Sequence, residues 1–172
     1  MALEKKKTII LTLLIDEKSQ SFFDAQRKLY FPAYANFTNA HITLIHCLPN
    51  IEIVFKRINE ICEKTKSFSA EVNDIFNINN FNAYKIESND IQVLHKNLQT
   101  HFKKFLSQKD LKPIKPHITI QNKVTDYKSK KTYENLKGNF IPFEATILGI
   151  SCWYFTKNNW EKKEDYLFSL TT

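Results

Sequence analysis

The tripeptide His-Ile-Thr occurs twice in this chain, 76 positions apart, once as His41 to Thr43 in "AHITLIHC" and once as His117 to Thr119 in "KPHITIQNK". Apolar and polar residues alternate through both segments, a pattern typical of half-buried strands. Residues i and i+2 of a strand point to the same side. The histidine and threonine of each copy therefore share one face, and the isoleucines take the other. The chain must bury two apolar strand faces while presenting two matching polar ones.

Hydrophobic periodicity predicts strands and helices in alternation around these segments. The first strand, residues 8–15, is short and rich in β-branched residues. The helix that follows, residues 19–30, is predicted to begin at a capping Ser19 and to end before Pro32. Its apolar face is predicted to contain Phe22, Phe23 and Leu29, with Gln26 beside them. Further helices are predicted over 51–66, 90–106 and 126–137, and further strands over 41–47, 67–78, 81–87 and 117–124.

The tail is predicted to form two strands joined by a polar turn at Lys157, Asn158 and Asn159. The whole pattern indicates an α+β fold in which two similar halves each carry a sheet with helices on its outer face. No Pro-, Gly- or Ser-rich linker interrupts the 172 residues, so we predict a single domain over 1–172.

Only two glycines occur, Gly138 and Gly149, and Gly138 is placed to terminate the last predicted helix as its C′ residue. This scarcity excludes the glycine-rich phosphate loops of P-loop and dinucleotide-binding proteins. The net charge of +7 favours an anionic partner. The lysines are scattered, and the one compact run, residues 5–7, is interpreted as a solvated N-terminal segment.

Three cysteines, Cys47, Cys62 and Cys152, show no Cys-x-x-Cys spacing and support neither a disulfide framework nor a zinc ribbon. The apolar run near the N-terminus stops at Asp16 and Glu17 after about eight residues, whereas a membrane span needs roughly 20. We therefore expect a protein of the reducing cytoplasm that does not enter a membrane.

Two histidines and two threonines facing one groove would suit phosphoester cleavage without a metal or other cofactor. A neutral imidazole can accept a proton from the attacking hydroxyl, and a protonated imidazole can donate one to the leaving oxygen. Threonine hydroxyls can hydrogen-bond the non-bridging phosphate oxygens. In the second copy, regular alternation also places Gln121 and Lys123 on the face of His117 and Thr119, as candidate substrate-binding residues.

The remaining histidines are interpreted as structural. His46 lies an odd number of positions from His41, so regular alternation turns it away from the groove. His95 and His101 are six apart on a predicted helix, a poor spacing for a shared face or a metal site. Some aromatic residues could stack a nucleobase, although core packing is the more common role for such residues. They are Tyr30, Phe31, Trp153, Tyr154 and Trp160.

The pair "HITL" and "HITI" closely resembles the tandem His-x-Thr-apolar signature of the 2H phosphoesterases, which include bacterial 2′-5′ RNA ligase-like proteins and cyclic phosphodiesterases. The resemblance runs over nearly the whole chain. "RKLYFPAYANFTNAHITLIHCLP" is similar to the first half-motif of a bacterial 2′-5′ RNA ligase-like branch, and "KPHITIQNKV" to its second. "WYFTKNNW" resembles that branch's aromatic segment, with Thr, Lys and two Asn where glycines are expected.

The resemblance implies a bilobal α+β fold of two pseudo-symmetric halves, with a central cleft between two antiparallel sheets. It implies metal-independent cleavage at 2′-linked or cyclic phosphates, with His41 and His117 as the acid/base pair and Thr43 and Thr119 as phosphate ligands. Nothing in the sequence says which histidine is the base. RNA ends or small nucleotide phosphodiesters are the expected partners, and the chain is expected to be a monomer.

Two alternatives remain open at this point. The chain could be a non-catalytic RNA- or nucleotide-binding module that uses the same cleft, although binding alone would tolerate replacement of the histidines. It could also join 2′-5′ linkages, since ligation is the reverse of the same reaction. The sequence does not choose among tRNA ends, cyclic nucleotides, 2′-5′ oligoadenylates and ADP-ribose cyclic phosphate.

Overall fold

The computed structural model describes residues 7–156 and 159–170, which form alternating strands and helices close to the predicted ones. A short 3₁₀ turn, Ala33–Ala35, follows the first helix. The elements in chain order are β1 (Thr8–Ile15), α1 (Glu17–Tyr30), β2 (Thr43–Pro49), α2 (Glu52–Glu63), β3 (Phe68–Ile78), β4 (Phe81–Glu87), α3 (Asn89–Phe102), β5 (His117–Gln121), α4 (Asp126–Gly138), β6 (Phe143–Thr156) and β7 (Asn159–Leu167).

The strands form an antiparallel sheet in the order β2-β1-β6-β3-β4-β5, with β7 also paired to β6. The long β6 connects the sheet, because β1 lies on one of its edges while β3 and then β7 share the other. Ile147 accordingly pairs with Ile15 on one side and with Phe68 on the other. The predicted antiparallel α+β class is confirmed. The strands make one network joined through β6 instead of two separate sheets, and the division into two pseudo-symmetric lobes stays a prediction.

The core lies between this sheet and the helices. Helix α2 packs against β6 and β7, α4 packs against β3 and β4, and α1 packs against β5. The apolar faces that periodicity predicted for α2 and α3 are largely the buried ones. They contribute Val54, Ile58 and Ile61 from α2, and Ile91, Leu94, Leu98 and Phe102 from α3.

Helix α1 differs from its prediction at its cap and on its buried face. Its N-cap is Asp16, whose carboxylate accepts hydrogen bonds from the backbone N–H and hydroxyl of Ser19, so Ser19 lies inside the helix. The same carboxylate accepts the N–H of Thr146 on β6, which fixes the start of the helix against the sheet. The buried face contains Phe23 and Arg27, whereas Leu29 is 69% exposed. The buried residues Ser19, Phe23 and Arg27 are spaced four apart, whereas Phe22 and Leu29, both predicted to be buried, are exposed.

Two further sequence expectations concern the chain's turns. The predicted turn in the tail includes Lys157 and Asn158, which lie outside the described residues; β7 begins directly after them, at Asn159. Gly138 is the last residue of α4, and the cap that follows is Asn139. The prediction that Gly138 acts as a C′ residue is therefore wrong. Among the residues the structure describes, positive φ angles occur only at Asn79 and Lys123.

We expect the two glycines to respond oppositely to alanine. A Cβ at Gly149 would collide with the backbone carbonyl of Tyr166 on the paired strand β7, whereas a Cβ at Gly138 would meet no atom within 4 Å. Gly149→Ala should lower the free energy of unfolding by about 1–3 kcal/mol. Gly138→Ala should leave it unchanged or raise it by up to about 1 kcal/mol, because alanine is the better helix residue. Urea unfolding measures both, and equal effects would contradict the β6–β7 contact.

Candidate active site

The two His-Ile-Thr segments line one cleft of about 500 Å³, which contains His41, Thr43, His117 and Thr119. Their strands, β2 and β5, stand at opposite ends of the strand order. Six strands laid flat would separate these two by about 24 Å, given a spacing near 4.8 Å per strand. The twist and curvature of the sheet therefore bring its two ends together. The four side chains meet only because of this curvature.

The two histidines are held in the same local geometry. The Nδ1 atom of His41 lies 2.7 Å from the carbonyl oxygen of Asn39, and that of His117 lies 2.8 Å from the carbonyl oxygen of Lys115. A carbonyl oxygen only accepts hydrogen bonds, so each imidazole donates its Nδ1–H. In the neutral ring this leaves Nε2 as the atom with a free lone pair. Each motif thus uses the carbonyl two residues earlier to orient its histidine.

The environment of His41 favours its neutral form. Burial lowers the pKa of His41 to about 4, against the opposing effect of its hydrogen bond to the Asn39 carbonyl. The positive charge of Arg27 and the charges of His117 and His46 when protonated lower this pKa further. The His41 ring also lies against the Trp160 ring, with centroids 4.7 Å apart and planes 39° apart. At neutral pH the His41 ring is therefore uncharged.

Arg27 on α1 links the two motif segments. Its Nη1 donates to the carbonyl of Thr119 at 2.8 Å, and its Nε donates to the side chain of Asn36 and the carbonyl of Thr38. The guanidinium lies 4.1 Å from the ring centroid of Phe31, and the residue is only 6% exposed. One buried side chain thus connects the loop that precedes His41 to the strand that carries His117.

The structure places His46 in the same cleft, which contradicts the prediction that it faces away. The cause is a bulge in β2. Between Leu11 and Thr12, β1 advances by one residue, while β2 advances by two, from Ile45 to Thr43. The extra residue reverses the alternation of side chains and returns His46 to the side of Thr43.

A second bulge explains why Gln121 and Lys123 lie away from the cleft. Asn82 pairs with Gln121 and Ala83 pairs with Thr119, so β5 carries one extra residue there. Gln121 is fully buried and hydrogen-bonds the side chains of Asn82 and Thr132. Lys123 lies beyond the end of β5 with φ at 58° and does not line the cleft. The prediction that both share the face of His117 and Thr119 is wrong.

The aromatic residues singled out in the sequence separate into two groups. Trp153 and Trp160 line a neighbouring cavity of about 580 Å³ that shares His41 with the cleft. Trp153 is fixed there by a 2.9 Å hydrogen bond from its indole N–H to the hydroxyl of Thr12. The others lie elsewhere: Phe31 stacks on Arg27, Tyr154 lies under Lys7, and Tyr30 lines a separate cavity.

Three other residues of the cleft region escaped the sequence analysis: Lys109, Asp110 and Arg27. The Asp110 carboxylate accepts hydrogen bonds from His46, which lies 64 positions earlier, and no local pattern signals a contact at that separation. Arg27 could have been suspected, since it falls four residues after Phe23 on the same helical face. Cavity size does not mark the site either, because two larger cavities of about 730 and 770 Å³ contain no histidine.

Within residues 7–156 and 159–170, no three side chains of His, Cys, Asp or Glu are grouped so as to hold a metal ion. Nor does that part of the chain contain a helix of the length and apolar character that crossing a membrane requires.

His95, on α3, lines the cleft near Asp110, whereas His101 is exposed and hydrogen-bonds the carbonyl of Asn97 on its own helix.

The fold and the cleft together define a class: an antiparallel α+β protein with two equivalently held histidines, one from each of two repeated motifs. A sequence model described as the 2′-5′ RNA ligase superfamily matches residues 15–159, most of the chain. This chain belongs to that superfamily, a group of 2H phosphoesterases, as its two His-Ile-Thr motifs predicted.

Solved structures show the same fold. The protein TT0787 of Thermus thermophilus matches with a TM-score of 0.64 and 13% identity over 94% of this chain and 97% of that one. A structure described as a phosphoesterase matches with a TM-score of 0.60 and 12% identity over 96% and 99% of the two chains. E. coli LigT complexed with 3′-AMP matches with a TM-score of 0.59 and 12% identity over 95% and 99%. A sequence search of curated proteins found no match.

We expect Arg27 to contribute far more to stability than an exposed arginine. Arg27→Met removes the donors to Thr119, Asn36 and Thr38 and leaves buried acceptors without partners, which should lower the free energy of unfolding by about 2–4 kcal/mol. Arg57→Met is the matched control, because Arg57 is exposed and pairs with Glu60 one helical turn away. It should cost less than about 0.5 kcal/mol. Equal losses in urea unfolding would show that Arg27 does not link the two segments.

Proposed function

We propose that this protein is a metal-independent phosphodiesterase that cleaves 2′,3′-cyclic or 2′-5′ phosphodiester bonds in RNA ends or nucleotides. The observation that carries the proposal is the pair of imidazoles, each with Nδ1 held by a backbone carbonyl, that line one cleft beside a threonine of the same motif. Membership of the 2′-5′ RNA ligase superfamily supports it. Acid–base catalysis by two histidines needs no metal ion.

The surroundings of His41 support its role as the general base. With its pKa lowered to about 4, His41 is neutral at physiological pH, and its Nε2 can take the proton of an attacking water. As the new oxygen–phosphorus bond forms, the bond from phosphorus to the leaving oxygen breaks. His117, protonated at Nε2, donates its proton to that oxygen. The hydroxyls of Thr43 and Thr119 donate to the non-bridging oxygens, where negative charge grows in the transition state.

Several features support a nucleotide as substrate. The chain carries a net charge of +7, and Lys109, Lys112 and Lys115 line the cleft. The cavity beyond His41 offers the rings of Trp153 and Trp160 for stacking a base. Among proteins of the same fold, E. coli LigT has been solved with 3′-AMP, with NADP+ and with ATP. We further propose that the chain acts as a monomer in the cytoplasm, where its free cysteines stay reduced.

We expect loss of either histidine to abolish most turnover. In a panel of 2′,3′-cyclic nucleotides and 2′-5′ dinucleotides assayed with excess EDTA, His41→Ala and His117→Ala should each lower kcat by about a hundredfold or more. The double variant should lose less than the product of the two effects, because the histidines act as one unit. Thr43→Val and Thr119→Val keep the strand shape and should each cost about 1–3 kcal/mol of transition-state stabilisation.

His101→Ala is the control for this series, since His101 is exposed on α3 outside the cleft; it should keep full activity. Loss of turnover on chelation, restored by a divalent ion, would show that the metal-independent mechanism is wrong. Nucleotide binding without turnover of any substrate would instead identify a non-catalytic module. Formation of 2′-5′ linkages from the same ends would indicate that the reverse reaction is the relevant one.

The lowered pKa of His41 determines the pH at which activity declines on the acidic side of the profile. His41 must be neutral to act as the base, so kcat/KM should stay high as the pH falls through 6.5 and should decline only around pH 4, as His41 becomes protonated. Because the proposed mechanism also needs a proton donor, the rate should fall again on the alkaline side and the profile should be bell-shaped. An NMR titration of the His41 ring, assigned with His41→Ala, should give the same acidic midpoint. A midpoint near 6.5 in both measurements would show that the surroundings of His41 do not lower its pKa, and the argument that distinguishes it from His117 would fail.

A further inference from the structure

One wall of the cleft carries an ordered series of three polar side chains that the proposed chemistry does not use. They are Asp110, His46 and Lys109, and they connect β2 with the segment between α3 and β5. His46 and Lys109 line the same cleft as His41 and His117. The series begins at a buried carboxylate and ends at an ammonium group that faces the cleft.

The Asp110 carboxylate anchors the series. Its side chain is only 1% exposed, and it accepts hydrogen bonds from the backbone N–H of His46, the Nδ1 of His46 and the hydroxyl of Ser107. Burying a carboxylate is costly unless its oxygens are satisfied in this way. Asp110 accepts hydrogen bonds from both the backbone and the ring of His46, so this buried carboxylate fixes the position of the imidazole.

His46 in turn positions Lys109. With its Nδ1 proton donated to Asp110, the ring presents Nε2 as an acceptor, and the Nζ of Lys109 lies 2.9 Å from it. An ammonium group has three donor hydrogens, so two remain for a ligand. Exposed lysines normally stay mobile and hydrated because fixing the long side chain costs entropy. Lys109 is exposed, yet the side chain of His46 holds its ammonium group at the cleft.

The surrounding charges identify the kind of ligand. Lys112 and Lys115 also line the cleft. Among the described residues that do so, Asp110 is the only carboxylate, and it already accepts three hydrogen bonds from the protein. The site lies close to the proposed reaction centre. His46 follows Thr43 by three residues, so their Cα atoms are at most about 10 Å apart along the strand. Lys109 and a phosphate held beside Thr43 are therefore within reach of one nucleotide.

We propose that Lys109, positioned by His46 and Asp110, binds a second phosphate group of the substrate, next to the phosphate held between His41 and His117. The inference rests on the proposed function and narrows the class of substrate. The preferred substrate would be a nucleotide or RNA end that carries a further phosphate besides the one that reacts. Lys109 is the ligand-binding residue here, whereas His46 and Asp110 are positioning residues.

Isothermal titration calorimetry with nucleoside phosphates tests the site without depending on turnover. The probes are adenosine 2′,5′-bisphosphate and adenosine 3′,5′-bisphosphate, compared with 2′-AMP, 3′-AMP and 5′-AMP. The wild-type protein should bind at least one bisphosphate about tenfold or more tightly than either matching monophosphate. Lys109→Met should remove this difference while leaving monophosphate affinity unchanged. Lys104→Met, which removes the same charge from an exposed lysine that does not line the cleft, should leave the preference intact.

His46→Asn separates positioning from folding. The asparagine amide can still donate to Asp110 where Nδ1 did, but it offers no acceptor at the place of Nε2. The variant should keep wild-type stability and lose most of the bisphosphate preference. A variant with reduced stability and an intact preference for bisphosphates would show that Asp110, His46 and Lys109 only join the segment between α3 and β5 to β2. That result would overturn the proposal.

Two further outcomes would also overturn the proposal: a wild-type protein that binds bisphosphates no more tightly than monophosphates, and a Lys109→Met variant that weakens both classes equally. The second would place Lys109 on the reacting phosphate. Hydrolysis of the cyclic and 2′-5′ substrates, assayed separately, decides the proposed function. A protein without turnover that still prefers bisphosphates would reject the chemistry and keep the second phosphate site.

Discussion

The buried guanidinium of Arg27 is the interaction on which the geometry of the cleft depends. Its hydrogen bonds to Thr38 and Thr119 join backbone that precedes one histidine to backbone that follows the other. An arginine removed from water is tolerable only when its donors are paired. Here a planar, multi-donor side chain meets acceptors from both segments and stacks on Phe31, an arrangement that lysine could not reproduce. The same charge disfavours protonation of His41, so one residue both holds the segment that precedes this histidine and favours its neutral form.

The two histidines begin with equal local geometry and differ in their surroundings. Each ring donates Nδ1–H to the carbonyl two residues earlier, which follows from the repeated motif. The low pKa of His41 has no counterpart in the motif, because it comes from burial and from charges on other elements. The tertiary environment, and not the repeated tripeptide, therefore sets the protonation state of His41.

Bulges in two strands account for the errors in the predicted site. Strand periodicity assigns a face by counting residues, and one inserted residue reverses every later assignment. In β2 the reversal brings His46 into the cleft, where it can position Lys109. In β5 it turns Gln121 into the interior, where Asn82 and Thr132 satisfy its amide. Neither bulge is marked by a glycine, so the sequence carries no local sign of them.

The sequence by itself determined the order of elements, the antiparallel α+β class and the family, because periodicity and a repeated motif are local properties of the chain. It also identified His41, Thr43, His117 and Thr119 as one set of candidate site residues. Only the tertiary structure decided which other residues join them, since Arg27, Lys109 and Asp110 act through contacts far apart in sequence. The curvature of the sheet, the register of β2 and β5 and the charge around His41 arise when distant segments pack together. No local pattern encodes those three quantities, because each depends on contacts between segments that are far apart in the sequence.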